Sequence, residues 1–243
     1  GSVMHSDNPG RDEQQTTASS LKITGPLNNS AGFVSITGYA SSDILFSFDG
    51  DWGSSSFWNP YLYDYIYKNP RDRDSLSQEF RLVSSPAGRV FNGSTNWVLG
   101  VYAQRLEEDN RIDSIGVYDD SAAEAFCPSP PSPFACFTNR QVSSSYIADS
   151  FSVFGSLDSS ITASLGLSIG LRYEYWDAKY ADSWSDISSS FMPEGITASN
   201  RFDPDEGMVG GHLALSYDWS DKVRGYARIA RGFKAGGFNP SLA

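Results

Sequence analysis

The 243-residue sequence contains no continuous apolar run of the ~18 residues that a membrane-spanning helix requires. Basic residues are also scarce: 18 Lys and Arg stand against 29 Asp and Glu, which gives a net charge of -11 and argues against a nucleic-acid partner. No G-x-S-x-G elbow, paired His-Glu metal motif or phosphate loop is present, so nothing in the sequence favours an enzyme. These absences exclude helical membrane spans and the commonest catalytic classes, but they do not exclude strands that cross a membrane, because only alternate residues of such strands face lipid.

Cysteine is equally rare. The only two, Cys127 and Cys136, flank a Pro-rich segment that has no His or further Cys nearby to complete a zinc site. We interpret them as a local disulfide that pins a surface loop, and two free thiols are the alternative. No metal site and no cofactor are predicted.

What the sequence has in abundance is aromatic residues, at 14%, together with Gly and Ser, a mixture typical of strands and turns. The clearest segment runs from Ile161 to Tyr175, where the odd positions are apolar and the even positions are small or polar. A period of two over this length predicts a β-strand long enough for a tilted membrane crossing of roughly 9–11 residues.

Two hairpins follow from this alternation. The first pairs residues 150–157 with the Ile161–Tyr175 strand around a turn at Asp158–Ser160, so that Leu157 faces Ile161, Val153 faces Leu165 and Phe151 faces Leu167. The second pairs Val209–Trp219 with Val223–Ala230 around a turn at Trp219–Asp221, so that Asp218 faces Lys222.

Weaker alternation predicts four earlier strands, at Ser19–Leu27, Gly32–Ser41, Arg73–Ser84 and Asn96–Glu107. The predicted turns within pairs are short, at Asn28–Ala31, Ser85–Thr95, Asp158–Ser160 and Trp219–Asp221, whereas the links between pairs are long, at Ser42–Asp72, Glu108–Tyr146 and Asp177–Asp205. Short periplasmic turns that alternate with long extracellular loops are typical of an outer-membrane barrel. The sequence therefore predicts an all-β protein: about eight antiparallel strands of a larger transmembrane β-barrel.

Three segments carry a more specific resemblance. Ala230–Asn239, with the sequence ARGFKAGGFN, looks like a segment common in TonB-dependent outer-membrane receptors, and Ser77–Leu82 and Val34–Tyr39 resemble two other barrel strands of that family. The resemblance covers residues 19–243, which we interpret as an internal part of the receptor barrel, and residues 1–18 as the end of an extracellular loop or a flexible start.

The resemblance implies a function. Such receptors bind a scarce nutrient outside the cell, most often a ferric siderophore, and take it across the outer membrane without covalent chemistry. The implied partners are the TonB energy-transducing complex, which acts through a plug domain that this sequence lacks, outer-membrane lipid and a small-molecule ligand.

Candidate site residues fall into two groups. On the polar side of the strands we predict that five residues face the lumen, where they hold a plug or contact a passing ligand: Arg172, Glu174, His212, Arg224 and Arg228. In the first long link the aromatic side chains are dense, and we predict a role in ligand binding for Trp52, Trp58, Tyr61 and Tyr63, with packing of the loop as the alternative.

Two other functions remain open from the sequence. A passive porin-like or structural barrel needs the same strands but no plug, and the three family-like segments argue against it. A soluble all-β glycan-binding module also alternates, but its apolar faces pack inward.

Overall fold

The computed structural model describes residues 5–59, 61–119, 136–187 and 195–238. Within them the chain forms one antiparallel sheet of nine strands. The strands are β1 (Arg11–Pro26), β2 (Ala31–Asp49), β3 (Leu62–Ser84), β4 (Thr95–Asp119), β5 (Cys136–Ser160), β6 (Leu165–Asp186), β7 (Ile196–Phe202), β8 (Asp205–Ser220) and β9 (Val223–Arg231). One short helix, α1 (Ser55–Trp58), and a 3-10 turn at Pro86–Gly88 lie between strands.

The sheet follows the chain order from β1 to β6, then β8 and β9, and β7 pairs with the far end of β6. Among the described residues β1 and β9 form the two edges and do not pair with each other, so the sheet is an open, partial barrel. The all-β antiparallel fold predicted from the alternation is confirmed.

The strands are longer than the sequence pattern indicated. β2 and β3 stay paired up to Asp49 and Ile66, so that the predicted link Ser42–Asp72 shrinks to residues 50–61. β4 and β5 likewise extend far into the predicted link Glu108–Tyr146, and β6 and β7 occupy much of Asp177–Asp205. β1 begins at Arg11, within the stretch interpreted as a loop end or flexible start.

Both predicted hairpin registers are wrong. Leu157 pairs with Ile169 and Val153 with Tyr173, because the β5–β6 turn lies at residues 161–164, where the Thr162 hydroxyl accepts hydrogen bonds from the Ser164 and Leu165 amides. Phe151 accordingly pairs with Tyr175 rather than Leu167.

The β8–β9 turn shows a smaller error of the same kind. Asp218 pairs with Arg224 rather than Lys222, and an irregularity at residues 218–220 leaves Asp221 and Lys222 as the turn. Both shifts are by an even number of residues, and a strand repeats every two residues, so each side chain stays on its predicted face.

Paired residues point to the same side of a sheet. One side, the outer face, carries continuous apolar rows, such as the row Phe80, Val101, Val153, Tyr173 and Val209. Many of these side chains are exposed, as Leu171 is at 65%. Rows of exposed apolar side chains suit a hydrocarbon environment and are a liability in water.

The opposite side, the inner face, carries most of the buried side chains. Among them are Ile112, Val142, Ala148, Ser152, Trp176, Ala178, Tyr180 and Met208. On β6 the apolar outer positions run from Leu165 to Tyr175, and the outer positions above them, beginning at Asp177 and Lys179, are mostly polar. We call the lower part, up to Tyr175, the apolar band, and its length matches the roughly 9–11 residues of one tilted membrane crossing.

Candidate functional site

The inner face at the level of the apolar band carries paired charges. The Arg172 guanidinium donates to Glu174 Oε2 from Nη2 at 2.7 Å and from Nε at 3.0 Å. It also lies over two rings, 5.3 Å from the centroid of Tyr102 and 5.8 Å from that of Phe154. A guanidinium held by one carboxylate and two aromatic faces is fixed in position, because each contact favours the charged, planar group.

A second arginine also lies over the Phe154 ring. Arg81 lies 5.9 Å from the ring centroid and forms an ion pair with Glu79 of its own strand. Phe154 therefore contacts two guanidinium groups, each of which has its own carboxylate. We call Glu79, Arg81, Tyr102, Phe154, Arg172 and Glu174 the charged belt.

The remaining residues predicted to face the lumen share this face. His212 Nε2 lies 3.3 Å from the Ser168 hydroxyl, and its ring covers Gly170. Arg224 donates from Nη2 to Asp218 Oδ2 at 2.8 Å. Arg228 is paired with Ala214 in the ladder and so projects on the same side. The structure thus places all five residues on the inner face. Arg172 pairs with Glu174, and Arg172, His212 and Arg228 line one cavity, whereas Arg224 is apart from them.

Directly above the charged belt, the inner face becomes apolar. Ala148, Trp176, Ala178 and Met208 form a buried cluster, and Leu106, Tyr146, Phe233 and Ala235 pack against it. Trp176 is only 7% exposed although it follows Tyr175, which is 43% exposed on the other face. This cluster gives the inner face a rigid aromatic lining above the level of the apolar band.

Higher still, near the 50–61 loop, rings cover the inner face of β2, β3 and β4. Phe48 stacks on Tyr67 with centroids 4.7 Å apart, and Tyr63 stacks on Tyr118 at 6.4 Å with an interplanar angle of 5°. We call this set the mouth array; it comprises Phe46, Phe48, Trp58, Tyr63, Tyr65, Tyr67 and Tyr118. Burial raises the pKa of Tyr65, and the neighbouring Tyr118 and Tyr63 phenols raise it further, so the ring stays neutral at physiological pH.

The loop beside this array is organised by one carboxylate. Asp51 Oδ1 accepts from the Gly53 amide at 3.0 Å and from Trp58 Nε1 at 3.3 Å, while Oδ2 accepts from the Tyr65 amide at 2.9 Å. Trp52, between the Asp51 and Gly53 positions, has a φ of 63°, a left-handed conformation that a bulky residue rarely adopts, and its side chain is 85% exposed. Backbone strain of this kind, here beside a buried carboxylate that fixes the loop, clusters at binding sites.

The four aromatic residues predicted for ligand binding lie in or next to this loop. Trp58 is in α1 and its ring lies 5.3 Å from Tyr63, whereas Tyr63 is in β3 rather than in a loop. Tyr61 donates its amide to the Trp58 carbonyl at 2.8 Å, and the Trp52 ring lies 6.4 Å from Phe48. The structure therefore brings Trp58 and Tyr63 into one array with strand residues that sequence reasoning did not select.

Several inner-face rings were missed because they lie in the predicted long links. The available signal was an alternation with aromatic residues at one parity, as in Tyr180 and Trp184 of β6. The predicted Cys127–Cys136 disulfide lies outside the described residues: Cys127 is not among them, and of Cys136 only the backbone position at the start of β5 is described.

Two further findings concern the part of the chain that the structure describes. No three His, Cys, Asp or Glu side chains come together there as a potential metal site. No helix in these residues is long and apolar enough to cross a membrane.

The sequence matches the family described as TonB dependent receptor-like, beta-barrel over residues 3–243. The chain therefore belongs to the TonB-dependent receptor β-barrel family, whose members are outer-membrane transport receptors.

Solved structures agree with this fold. The chain is similar to the ferric yersiniabactin uptake receptor FyuA from Yersinia pestis, with a TM-score of 0.63 and 17% identity over 98% of this chain and 32% of that one. It is also similar to the ferric-catecholate import receptor Fiu from E. coli K12 in its open form, with a TM-score of 0.59 and 11% identity over 94% of this chain and 37% of that one. For the siderophore receptor PiuA from Acinetobacter baumannii the TM-score is 0.50, with 14% identity over 93% and 33% of the two chains. The chain thus spans about a third of the length of these receptors.

Proposed function

We propose that this chain is part of the barrel wall of an outer-membrane receptor that takes up a ferric siderophore in a TonB-dependent manner. The observation that carries the proposal is the distribution of side chains on the inner face: a charged belt at the level of the apolar band, a buried aromatic cluster above it and the mouth array at the 50–61 loop. A ligand that enters from the mouth meets rings first and guanidinium groups later.

The chemistry of these surfaces suits a large complex with ring-bearing and anionic groups. Aromatic rings offer rigid contact area at a low cost in conformational entropy, and neutral phenols add hydrogen-bond donors. Arg81 and Arg172 are each already paired with a carboxylate. They can therefore offer polar contacts to an anionic ligand without binding it so tightly that the ligand is not released. The names of the three similar receptors, which refer to ferric yersiniabactin, ferric catecholate and a siderophore, support the same ligand class.

Two observations favour the receptor over the alternatives. The exposed apolar rows of the outer face support a membrane wall rather than a soluble glycan-binding module. The membership of the family supports energised uptake rather than a passive pore.

The first test is uptake of radioactive iron, bound to a siderophore, by cells that express the full-length receptor under iron limitation. We expect uptake that stops when the inner-membrane proton gradient is dissipated, because TonB draws on that gradient. Uptake that persists without the gradient would identify a passive pore, and no uptake of any ferric siderophore would refute the proposed ligand.

The contribution of the mouth array is tested by binding of a ferric tris-catecholate complex to the purified full-length receptor. Tyr63→Ala removes a ring that stacks on Tyr118 and contacts Trp58, and we expect it to weaken binding roughly threefold to tenfold, the range of one aromatic contact. The matched control is Phe80→Ala, which removes a ring that is 53% exposed on the outer face. Equal losses for the two variants would mean that the array has no direct part in binding.

A further inference from the structure

The chain leaves the sheet after β9 and crosses the inner face. The ladder pairing of β9 with β8 ends at Arg231, and residues 232–238 follow without belonging to any strand. Phe233 lies so close to Gly210 that a Cβ there would be 2.9 Å from the ring, and Ala235 packs with Phe233 against the buried cluster around Trp176. We call residues 232–238 the crossing segment.

At the end of this segment the Phe238 ring enters a stack of three other rings. It lies parallel to Tyr180, with centroids 4.5 Å apart and an interplanar angle of 11°. Phe202 flanks it at 5.7 Å and 21°, and Tyr146 approaches edge-on at 6.2 Å and 60°. The rings of Tyr146, Tyr180 and Phe202 thus surround a gap that fits one planar ring. We call this gap the slot.

The three residues that form the slot belong to strands of the sheet, whereas Phe238, which occupies the slot, does not. Tyr180 pairs in the sheet ladders with Tyr146 on one side and with Phe202 on the other, so the register of β5, β6 and β7 fixes all three rings. Phe238 follows Gly236 and Gly237, and a Cβ added at either glycine would meet nothing within 4 Å. No packing requires these glycines, and their conformational freedom lets the ring withdraw without disturbing a strand.

The polar edges of the slot are neutral phenols. Burial, together with Asp182, raises the pKa of Tyr180 to about 12, and burial raises the pKa of Tyr146. Both hydroxyl groups therefore remain protonated at physiological pH and can donate hydrogen bonds to oxygen atoms on a ligand ring.

We propose that the slot formed by Tyr146, Tyr180 and Phe202 is a binding site for a planar aryl group of the transported ligand, and that Phe238 competes with the ligand for it. The inference rests on the proposed function, since it requires the inner face to be the ligand's path. It narrows the ligand to compounds that carry an oxygen-substituted aromatic ring.

Competition by an attached ring lowers the apparent affinity in proportion to the fraction of time that the slot is open. The free energy of one aromatic stack, such as that of Phe238 on Tyr180, changes the open fraction of the slot roughly threefold to tenfold. Removal of the competing ring must therefore strengthen binding, a result opposite to that expected for a ring that contacts the ligand.

The test uses the purified full-length receptor in detergent and iron-free 2,3-dihydroxybenzoate as the probe, with binding measured by equilibrium dialysis. We expect Phe238→Ala to tighten binding of the probe roughly threefold to tenfold and Tyr180→Leu to weaken it by a similar factor. Phe80→Leu, on the outer face, is the matched control and leaves binding unchanged. If Phe238→Ala does not assemble, Phe238→Leu keeps the bulk and removes the ring, and the same tightening is expected.

Wild-type affinity in both the Phe238 and the Tyr180 variants would overturn the proposal, as would weaker binding in Phe238→Ala. Because the probe contains no iron, its binding is independent of ferric-siderophore transport. A receptor that binds the probe through the slot but transports no ferric siderophore would refute the proposed function and leave the slot in place.

Discussion

The lower and upper halves of β6 follow the same period of two but place their apolar side chains on opposite faces. From Leu165 to Tyr175 the apolar residues point outward, with Leu171 65% exposed. From Trp176 onward they point inward, with Trp176 and Tyr180 almost fully buried, and the outer positions carry charges such as Asp177 and Lys179. The apolar side of one strand therefore changes at a single level, between Tyr175 and Trp176.

This difference shows that the apolar face of a strand depends on what surrounds the strand. It does not always mark the side that faces the interior of the protein. We infer that hydrocarbon lies outside the lower half, where apolar side chains lose nothing by exposure. In the upper half water lies outside, so the apolar rings gain by burial against one another on the inner face. We infer that the level at which the pattern changes side is a boundary of the membrane on this wall.

The largest effect is expected from Trp176→Ala in the upper half. This change deletes a side chain that is 7% exposed at the centre of the buried cluster, and a Trp or Phe truncation in such a site costs about 3–5 kcal/mol. The measurement is urea unfolding of the purified receptor in lipid bilayers. Phe80→Ala in the lower half is the control, since lipid fills the space that its outward ring leaves; an equal loss in both variants would contradict the assigned faces.

The second-largest effect is expected from a charge placed on the outer face, and this effect differs between the two halves. Leu171→Arg puts a guanidinium in the middle of the apolar band, where it costs about 2–4 kcal/mol and lowers the yield of folded barrel. Ala181→Arg puts the same group on the outer face of the upper half, in water, and is expected to have almost no effect. Folded yield is read from heat-modifiable migration on gels, and a normal yield for Leu171→Arg would mean that the lower half does not face lipid.

The smallest effect is expected in the pH dependence of stability, and it involves only the upper half. The pKa of Tyr180 is raised to about 12 in the folded chain, mainly by burial, above the value of about 10 for a free phenol. Its contribution to stability is complete below about pH 10 and is lost as pH rises through about 12, since the unfolded chain ionises first. We expect Tyr180→Phe to flatten the fall of the melting temperature over this window.

The matched control for that measurement is Tyr226→Phe, which changes a ring that is 84% exposed on β9. A fall of the melting temperature that is as steep in Tyr180→Phe as in the wild type would show that the burial of this phenol has no influence on stability.

The sequence was sufficient to predict the antiparallel all-β fold, the family and the faces of the strands in the two predicted hairpins. The faces survived even where the pairing was wrong, as with Leu157 and Ile169, because a register shift by an even number of residues leaves every side chain on its side. The register was not predictable from alternation alone, since it depends on the Thr162 turn and on the irregularity at residues 218–220.

The upper halves of the strands were missed for a different reason. They lack an apolar outer face, and their hydrogen-bonded ladders, such as the one that joins Asp49 to Ile66, depend on partners far apart in sequence. Residues such as Tyr118 and Phe202 acquire their place in a site only through these ladders.

The sequence by itself determined that this chain alternates with a period of two and which receptor family it belongs to, because period two and local motifs are properties of neighbouring residues. The tertiary structure alone decided which distant residues meet: Arg172 with Tyr102 and Phe154, Tyr63 with Tyr118, and Phe238 with Tyr180. Those encounters follow from strand register and from the path of the chain after β9, both of which are set by contacts between residues that the sequence keeps far apart.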